Sequence, residues 1–297
     1  MREPADGWLE RDGIGLHYLE WQADTDLHDV RPVLLLHGLS SNAHYWDRVA
    51  AHLPGHRLIA LDQRGHGLTG RAPRCPAVPE GFDMERLVAD AVHVIQELAL
   101  ERPLLVGHSW GATVGLELAA HLGDRASGLV FIDGPVQSAA NLFSWDDAQR
   151  FMQPPLPRYS AFEQARDDCR RDFAGAWAED LEPFVMARLM QEGTAYVLTL
   201  TAPVRLALLR GLYDSPLDQL WSMLQIPGAA LLARQGPAAV MARREGGARM
   251  LAQVAPQIEV KWFDTPHDIP LFLPDAIAAE IARLSDSEPA AAQQLQQ

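Results

Sequence analysis

Ser109 lies in Gly107-His108-Ser109-Trp110-Gly111, within the stretch PLLVGHSWGATVG that runs from residue 103 to residue 115. A serine hydroxyl is a weak nucleophile at neutral pH and needs a neighbouring base to take its proton. The GxSxG spacing alone is a weak signal. Its setting adds to it: an apolar run ends at the first glycine, and a helix-like segment follows the serine, which is the setting of a sharp nucleophile turn. A Cβ at 107 or 111 would crowd the adjoining strand and helix, and the serine itself would be held in strained φ/ψ.

The base must come from elsewhere in the chain. Of the 11 histidines, only His267 follows the last predicted strand and precedes the last helix, in WFDTPHDIPLFLPDAI. In the chain order serine, acid, histidine, that is the place of the base, whose Nε2 takes the serine proton. A second glycine turn closes the apolar run in LLLHGLSS, residues 34–41. If its strand neighbours that of Ser109, the backbone N–H groups of Leu39 and Trp110 would form an oxyanion hole. His37 would brace that loop. In DQRGHG, residues 62–67, Asp62 and Arg64 would tie down an adjacent turn, with His66 behind it.

These residues need elements to hold them. GWLERDGIGLHYLEW alternates around Asp-Gly and predicts a β-hairpin. RPVLLLHG (31–38), HRLIALDQRGHG (56–67), PLLVGH (103–108) and SGLVFIDG (127–134) read as strands buried on both faces. Helical patterns at 41–53, 83–100 and 110–122 alternate with them. Strands alternating with helices imply βαβ units and a mostly parallel, doubly wound sheet of about eight strands. The alternation stops from Pro135 to about Met223, resumes with a strand at 226–236, a helix at 237–254 and a strand at 257–264, and ends with a helix at 274–284. Residues 1–134 and 225–285 are thus expected to form an α/β core and 135–224 a helical cap, with a polar, disordered tail at 286–297. A cap over the C-terminal edge of the sheet would cover the ligand site of such a fold. Trp145, Trp177 and Trp221 would either line a pocket there or pack the cap to the core.

The formal net charge of −14 and the lack of a basic run argue against nucleic acid as partner. Two cysteines, Cys75 and Cys169, lack metal-ligand spacing and do not make a disulfide framework. With no signal-like N-terminus and no apolar run of about 20 residues, a cytoplasmic protein with no membrane association is expected. Its partner would be a small-molecule substrate.

Together LLLHGLSSNAHYWDRV, LIALDQRGHG, LLVGHSWGA and TPHDIPLFLPDAI resemble the α/β-hydrolase superfamily, in that family's order and over most of residues 8–284. The resemblance implies a Ser-His-acid triad, a cap and no metal or organic cofactor. GHSWGA also looks like the GHDWGA elbow of epoxide hydrolases and related dehalogenases, which use an aspartate nucleophile; serine at 109 disfavours an alkyl-enzyme ester and favours acyl transfer.

One part of the family pattern is missing. The acid usually follows the strand after the cap, but LLARQGPAAV (231–240) holds none, and its nearest polar group is Gln235. A second position known in the superfamily, the end of the strand after the elbow helix, is Asp133, 24 residues beyond Ser109. Asp133 is therefore the preferred acid, with Asp214 and Asp218 as alternatives and Asp264 and Asp268 too close to His267 in sequence to orient it easily. The expected activity is a serine hydrolase on a carboxylic ester or similar small acyl substrate. Alternatives are a proline-iminopeptidase-like amide hydrolase, a carbon–carbon bond hydrolase or perhydrolase on the same triad, and a non-catalytic binding protein of the same fold.

Overall fold

Five short runs of branched and small apolar residues form the centre of the sheet, because strands covered on both faces have no need of polar alternation. In the computed structural model, which describes residues 2–24, 30–71, 81–152 and 155–286, these are β3 (Val33–Leu36), β4 (Leu58–Leu61), β5 (Leu104–His108), β6 (Gly128–Ile132) and β10 (Gly228–Ala233), each fully buried. The hairpin β1 (Ala5–Arg11) and β2 (Ile14–Trp21) completes one edge and β11 (Ile258–Phe263) the other. The order is β1-β2-β4-β3-β5-β6-β10-β11, antiparallel at β1–β2 and β2–β4 and parallel elsewhere. Asp12 and Gly13 both take positive φ in the hairpin turn, as a two-residue turn of the primed type requires.

Alternate residues of each strand enter opposite cores. Leu34, Leu36, Leu105, Leu129 and Phe131 face one, against α2 (Met84–Glu97) and α3 (Trp110–Leu122). Val33, Leu35, Val106, Val130 and Ile132 face the other, against α1 (Asp47–Ala51) and, after β11, α10 (Ile269–Phe272) and α11 (Pro274–Ser285). The α/β architecture expected from the sequence is the one observed. The strand expected across 56–67 is shorter, because after Leu61 the chain turns at Gly65 and Gly67, both at positive φ.

The segment between β6 and β10 departs from the helical expectation. It has the helices α4 (Trp145–Met152), α5 (Phe162–Asp172), α6 (Glu182–Ala187), α7 (Ala202–Asp214) and α8 (Leu217–Met223). It also has an antiparallel sheet of β7 (Arg158–Tyr159), β8 (Leu189–Glu192) and β9 (Ala195–Leu198) in the order β7-β9-β8. Gly193 at positive φ opens the two-residue turn of the β8–β9 hairpin, the Gly-X chemistry such a turn favours. Trp221 is fully buried, edge-on to Phe131, and its Nε1–H donates to Val136 O at 2.9 Å, so it packs the segment onto the sheet. Trp145 and Trp177 are partly buried against the two cores and carry Arg210 and Arg170 over their rings.

Behind β4, Arg64 donates to both oxygens of Asp90 on α2, and both side chains are almost wholly buried. Arg11 joins the same carboxylate from β1. Asp90→Ala would remove the buried carboxylate that Arg64 and Arg11 share, and a loss of about 3–5 kcal/mol in unfolding free energy is expected by urea denaturation. A loss below about 1 kcal/mol would show that water replaces the carboxylate.

Cys169 is a buried free thiol. Cys75 and the tail beyond residue 286 lie outside the described residues. Among the described residues, no helix is long and apolar enough to cross a membrane. The final helix, β11 with the loop after it, and the turns closing β3, β5 and β6 all meet at one edge of the sheet.

Candidate active site

Ser109 occupies the turn between β5 and α3 at φ 56° and ψ −120°, a region costly for a residue with a Cβ. The turn is this tight because two glycines allow it. A Cβ on Gly107 would sit 2.3 Å from Gly111 O, and one on Gly111 would sit 2.3 Å from His37 O at the end of β3. The Ser109 N–H donates to Ile132 O at 2.8 Å, which ties the turn to β6.

Asp133 is the next residue of that neighbouring strand end, also at positive φ, a conformation Asp tolerates better than most residues. Its own N–H is held by Leu231 O, and its Oδ1 accepts from Ala233 N–H at 2.9 Å. Its Oδ2 accepts from His267 Nδ1–H at 2.6 Å. On the other side of that ring, His267 Nε2 accepts from the Ser109 hydroxyl at 2.9 Å. The structure therefore brings Ser109, His267 and Asp133 into one hydrogen-bonded chain, with the neutral His267 tautomer that carries its proton on Nδ1.

The other carboxylates considered from sequence have different hydrogen-bond partners. Asp214 pairs with Arg210 on the surface of α7. Asp218 accepts from Asn141 Nδ2 and from Ser138 N–H. Asp264 accepts from Gln235 Nε2, so neither of these two polar groups reaches His267. Asp268 accepts from the Tyr45 hydroxyl at 3.1 Å.

Electrostatics follow from this arrangement. Burial opposes protonation of His267, but its hydrogen bond to Asp133 and the charges of Asp268 and Asp133 outweigh burial and the opposing charge of Arg244, so its pKa is raised. The side chain nonetheless keeps 45% of its surface exposed. Asp133 has no exposed side-chain surface; burial pushes its pKa up, but the His267 hydrogen bond and charge, the Ala233 N–H and Arg244 bring it below the usual carboxylate value. His108 packs against His267, and its Nε2–H donates to His267 O at 3.1 Å. Burial, and then the charge of His267, lower His108 to about 4, so it stays neutral and adds no like charge beside the base.

The backbone of Gly38, the residue before Leu39, lies beside the serine. A Cβ on Gly38 would come within 3.3 Å of Ser109 Cβ. Ser41 N–H donates to Gly38 O across Leu39 and Ser40, and Ser40 N–H donates to His66 Nε2 at 3.1 Å. His66 also stacks on Trp110, so one imidazole contacts the indole of Trp110 and holds the backbone at Ser40, the residue after Leu39. Burial, with His37 adding to it, lowers His66 to about 3, which keeps Nε2 available as an acceptor. His37 uses Nε2 to accept from Gln63 N–H, and Gln63 Nε2 donates back to His37 O. Trp110 opens α3, where first-turn N–H groups lack partners within the helix and the helix end is positive.

Residues after β6 close over this loop. Asn42 Nδ2 donates to Phe184 O at 2.8 Å, Arg205 Nη1 to Ser40 Oγ, and Arg48 forks onto Asp180. Sequence reasoning did not foresee Arg244, which reaches Asp133 from α9 (Ala238–Val254).

A protein-family model described as the alpha/beta hydrolase fold matches residues 31–185 of the 297. Epoxide hydrolase B of Mycobacterium tuberculosis is 34% identical over 105 residues, covering 35% of this chain and 28% of that protein. Epoxide hydrolase 3 of Siraitia grosvenorii is 31% identical over 165 residues, covering 54% and 47%. The chain spans less than half the length of the curated relatives it matches. The thioesterase domain from the curacin biosynthetic pathway superposes with a TM-score of 0.75 at 19% identity, covering 94% of this chain and 99% of that one, a likeness of fold alone. With its family match lying over the nucleophile turn and the strands that carry it, the chain belongs to the alpha/beta hydrolase fold family.

Proposed function

We propose that this protein is a serine hydrolase that cleaves a carboxylic ester or a similar small acyl substrate through an acyl-enzyme on Ser109. The observation that carries this reading is the continuous hydrogen-bonded path from the Ser109 hydroxyl through His267 to Asp133. Relatives named as epoxide hydrolases share the family, but the aspartate of their elbow motif is a serine here, so the covalent intermediate would be an acyl ester.

In this mechanism Ser109 Oγ attacks the carbonyl carbon as its proton passes to His267 Nε2. The Leu39 and Trp110 N–H groups receive the oxyanion that forms. Asp133 holds the imidazole in position and stabilises the imidazolium. His267 returns the proton to the departing alkoxide and the C–O bond breaks. A water then gives its proton to His267 and adds to the acyl carbon, and collapse frees the acid and restores Ser109. The segment 135–224 acts as the cap, closing the site on the side of Ser40 and Asn42 and selecting the substrate.

Labelling with a fluorophosphonate tests the reading before any substrate is identified. One adduct is expected, on Ser109, and none in Ser109→Ala. An unlabelled wild type, or equal labelling of the two proteins, would overturn it.

A further inference from the structure

The carboxylate at the end of the hydrogen-bonded chain has a second cationic neighbour. Arg244 Nη2 donates to Asp133 Oδ2, the same oxygen that receives His267 Nδ1–H. The guanidinium is nine-tenths buried. Its position is built rather than casual. Nη1 donates to Gln235 O at 3.1 Å, which anchors the group to the turn after β10. Gly236 leaves the space it occupies, since a Cβ there would lie 3.2 Å from Nη1. Gly247, three residues along α9 and so on the same face, lets the helix close on Val136: a Cβ on Gly247 would sit 2.7 Å from Val136 Cβ. That approach brings Arg244 within reach of the strand end that carries Asp133.

We propose that Arg244 is a positioning residue of the Ser109–His267–Asp133 chain, fixing the orientation of the Asp133 carboxylate and offsetting part of its negative charge at His267. This rests on the hydrolase reading for its kinetic consequence. In a fully buried carboxylate with one oxygen on Ala233 N–H and the other on His267, a third donor restrains rotation about the Cβ–Cγ bond. It also draws off negative charge that would otherwise hold the imidazole in its protonated, inactive form.

The charged and titratable groups around His267 are Asp133 beyond β6, His108 and Ser109 at the end of β5, the adjacent Asp268 with Tyr45 on its carboxylate, and Arg244 from α9. Of these, Asp133 and Asp268 favour the imidazolium and Arg244 opposes it. The base must be neutral to accept the serine proton. Removing Arg244 therefore leaves less neutral His267 at a given pH, and the acid limb of kcat/KM moves to higher pH.

Arg244→Met keeps the length and loses the charge; Arg244→Lys keeps the charge and loses the fork. Each is compared with wild type in two measurements: kcat/KM against pH with p-nitrophenyl acetate, and the pH titration of the His267 ring by NMR. In Arg244→Met both midpoints are expected to move to higher pH, and kcat at its optimum to fall on the order of tenfold with KM little changed. Arg244→Lys is expected to bring both midpoints back toward wild type. Midpoints in Arg244→Met that coincide with wild type would overturn the proposal whatever happens to kcat, as would an Arg244→Lys protein indistinguishable from Arg244→Met. If Arg244→Met does not fold, a wild-type midpoint for Arg244→Gln in the NMR titration overturns it equally. The NMR titration needs no turnover, so it tests Arg244 even if Ser109→Ala retains full activity and the hydrolase reading itself falls.

Discussion

Asp133→Asn is expected to lower kcat for a p-nitrophenyl ester by about 10⁴, with the folded state intact. The size follows from what the side chain does. As a carboxylate, Asp133 accepts His267 Nδ1–H, which leaves Nε2 bare to receive the serine proton. An amide at this site can donate to Nδ1, and the ring would then carry its proton on Nε2, facing Ser109. The imidazolium formed during attack would also lose its nearest stabilising charge. A second signature separates this from simple misfolding. With the Asp133 interaction gone, the remaining effect of burial and Arg244 opposes that of Asp268 alone, so His267 should titrate at lower pH than in wild type. Residual activity should therefore show an acid limb displaced downward, while the wild-type limb lies above the ordinary histidine value. A fall of less than tenfold with normal folding would remove Asp133 from the mechanism and return attention to Asp268, whose charge also bears on the ring.

Ser109→Ala should have the largest effect of all, a fall in kcat on the order of 10⁶ for the same ester. On the proposed mechanism no acyl-enzyme forms without Oγ, and what remains is the attack of water, aided by substrate binding and the N–H groups proposed for the oxyanion, those of Leu39 and Trp110. KM should change far less than kcat, because the hydroxyl's contribution is made in the transition state. The substitution should also stabilise the fold slightly or leave it unchanged, since the backbone keeps its positive φ while only a half-buried hydroxyl is lost. Turnover within about tenfold of wild type would exclude covalent catalysis at this position.

The fold was readable because its central strands are buried on both faces. Runs such as Val33–Leu36 and Leu129–Ile132 contain no polar residue and end in glycine or a polar turn, so their type and order follow from composition. Ser109 and His267 were readable for a related reason: a tight turn needs glycines, and the last loop before the final helix contains one histidine. Asp133 emerged from the emptiness of 231–240 combined with a strand end beside the serine. Arg244 did not emerge, because it is one of several arginines on α9 along with Arg243 and Arg249, and periodicity does not say which of them meets a carboxylate from another strand. The small sheet of β7, β8 and β9 was missed because its strands are short and half-exposed, although Gly193 between Glu192 and Ala195 carried a hairpin signal. The role of Trp221 was left open, and its ring settles on Phe131 rather than lining a pocket.

Asp133 stands on β6, ahead of the segment 135–224 in the chain rather than behind it. Serine and carboxylate are thereby mounted on two adjacent parallel strands, with Ser109 N–H bonded to Ile132 O, and their separation is set by the sheet itself. Neither residue is carried by the segment between β6 and β10, so changes there that spare Val136 and Trp221, which pack on α9 and on Phe131, are expected to leave that separation unaltered. For protein engineering, the segment proposed as the cap is the part to vary. A transplant there need preserve only the approach of the His267 loop and α9 to the sheet edge, so substrate range can be altered while the nucleophile and its acid remain in register.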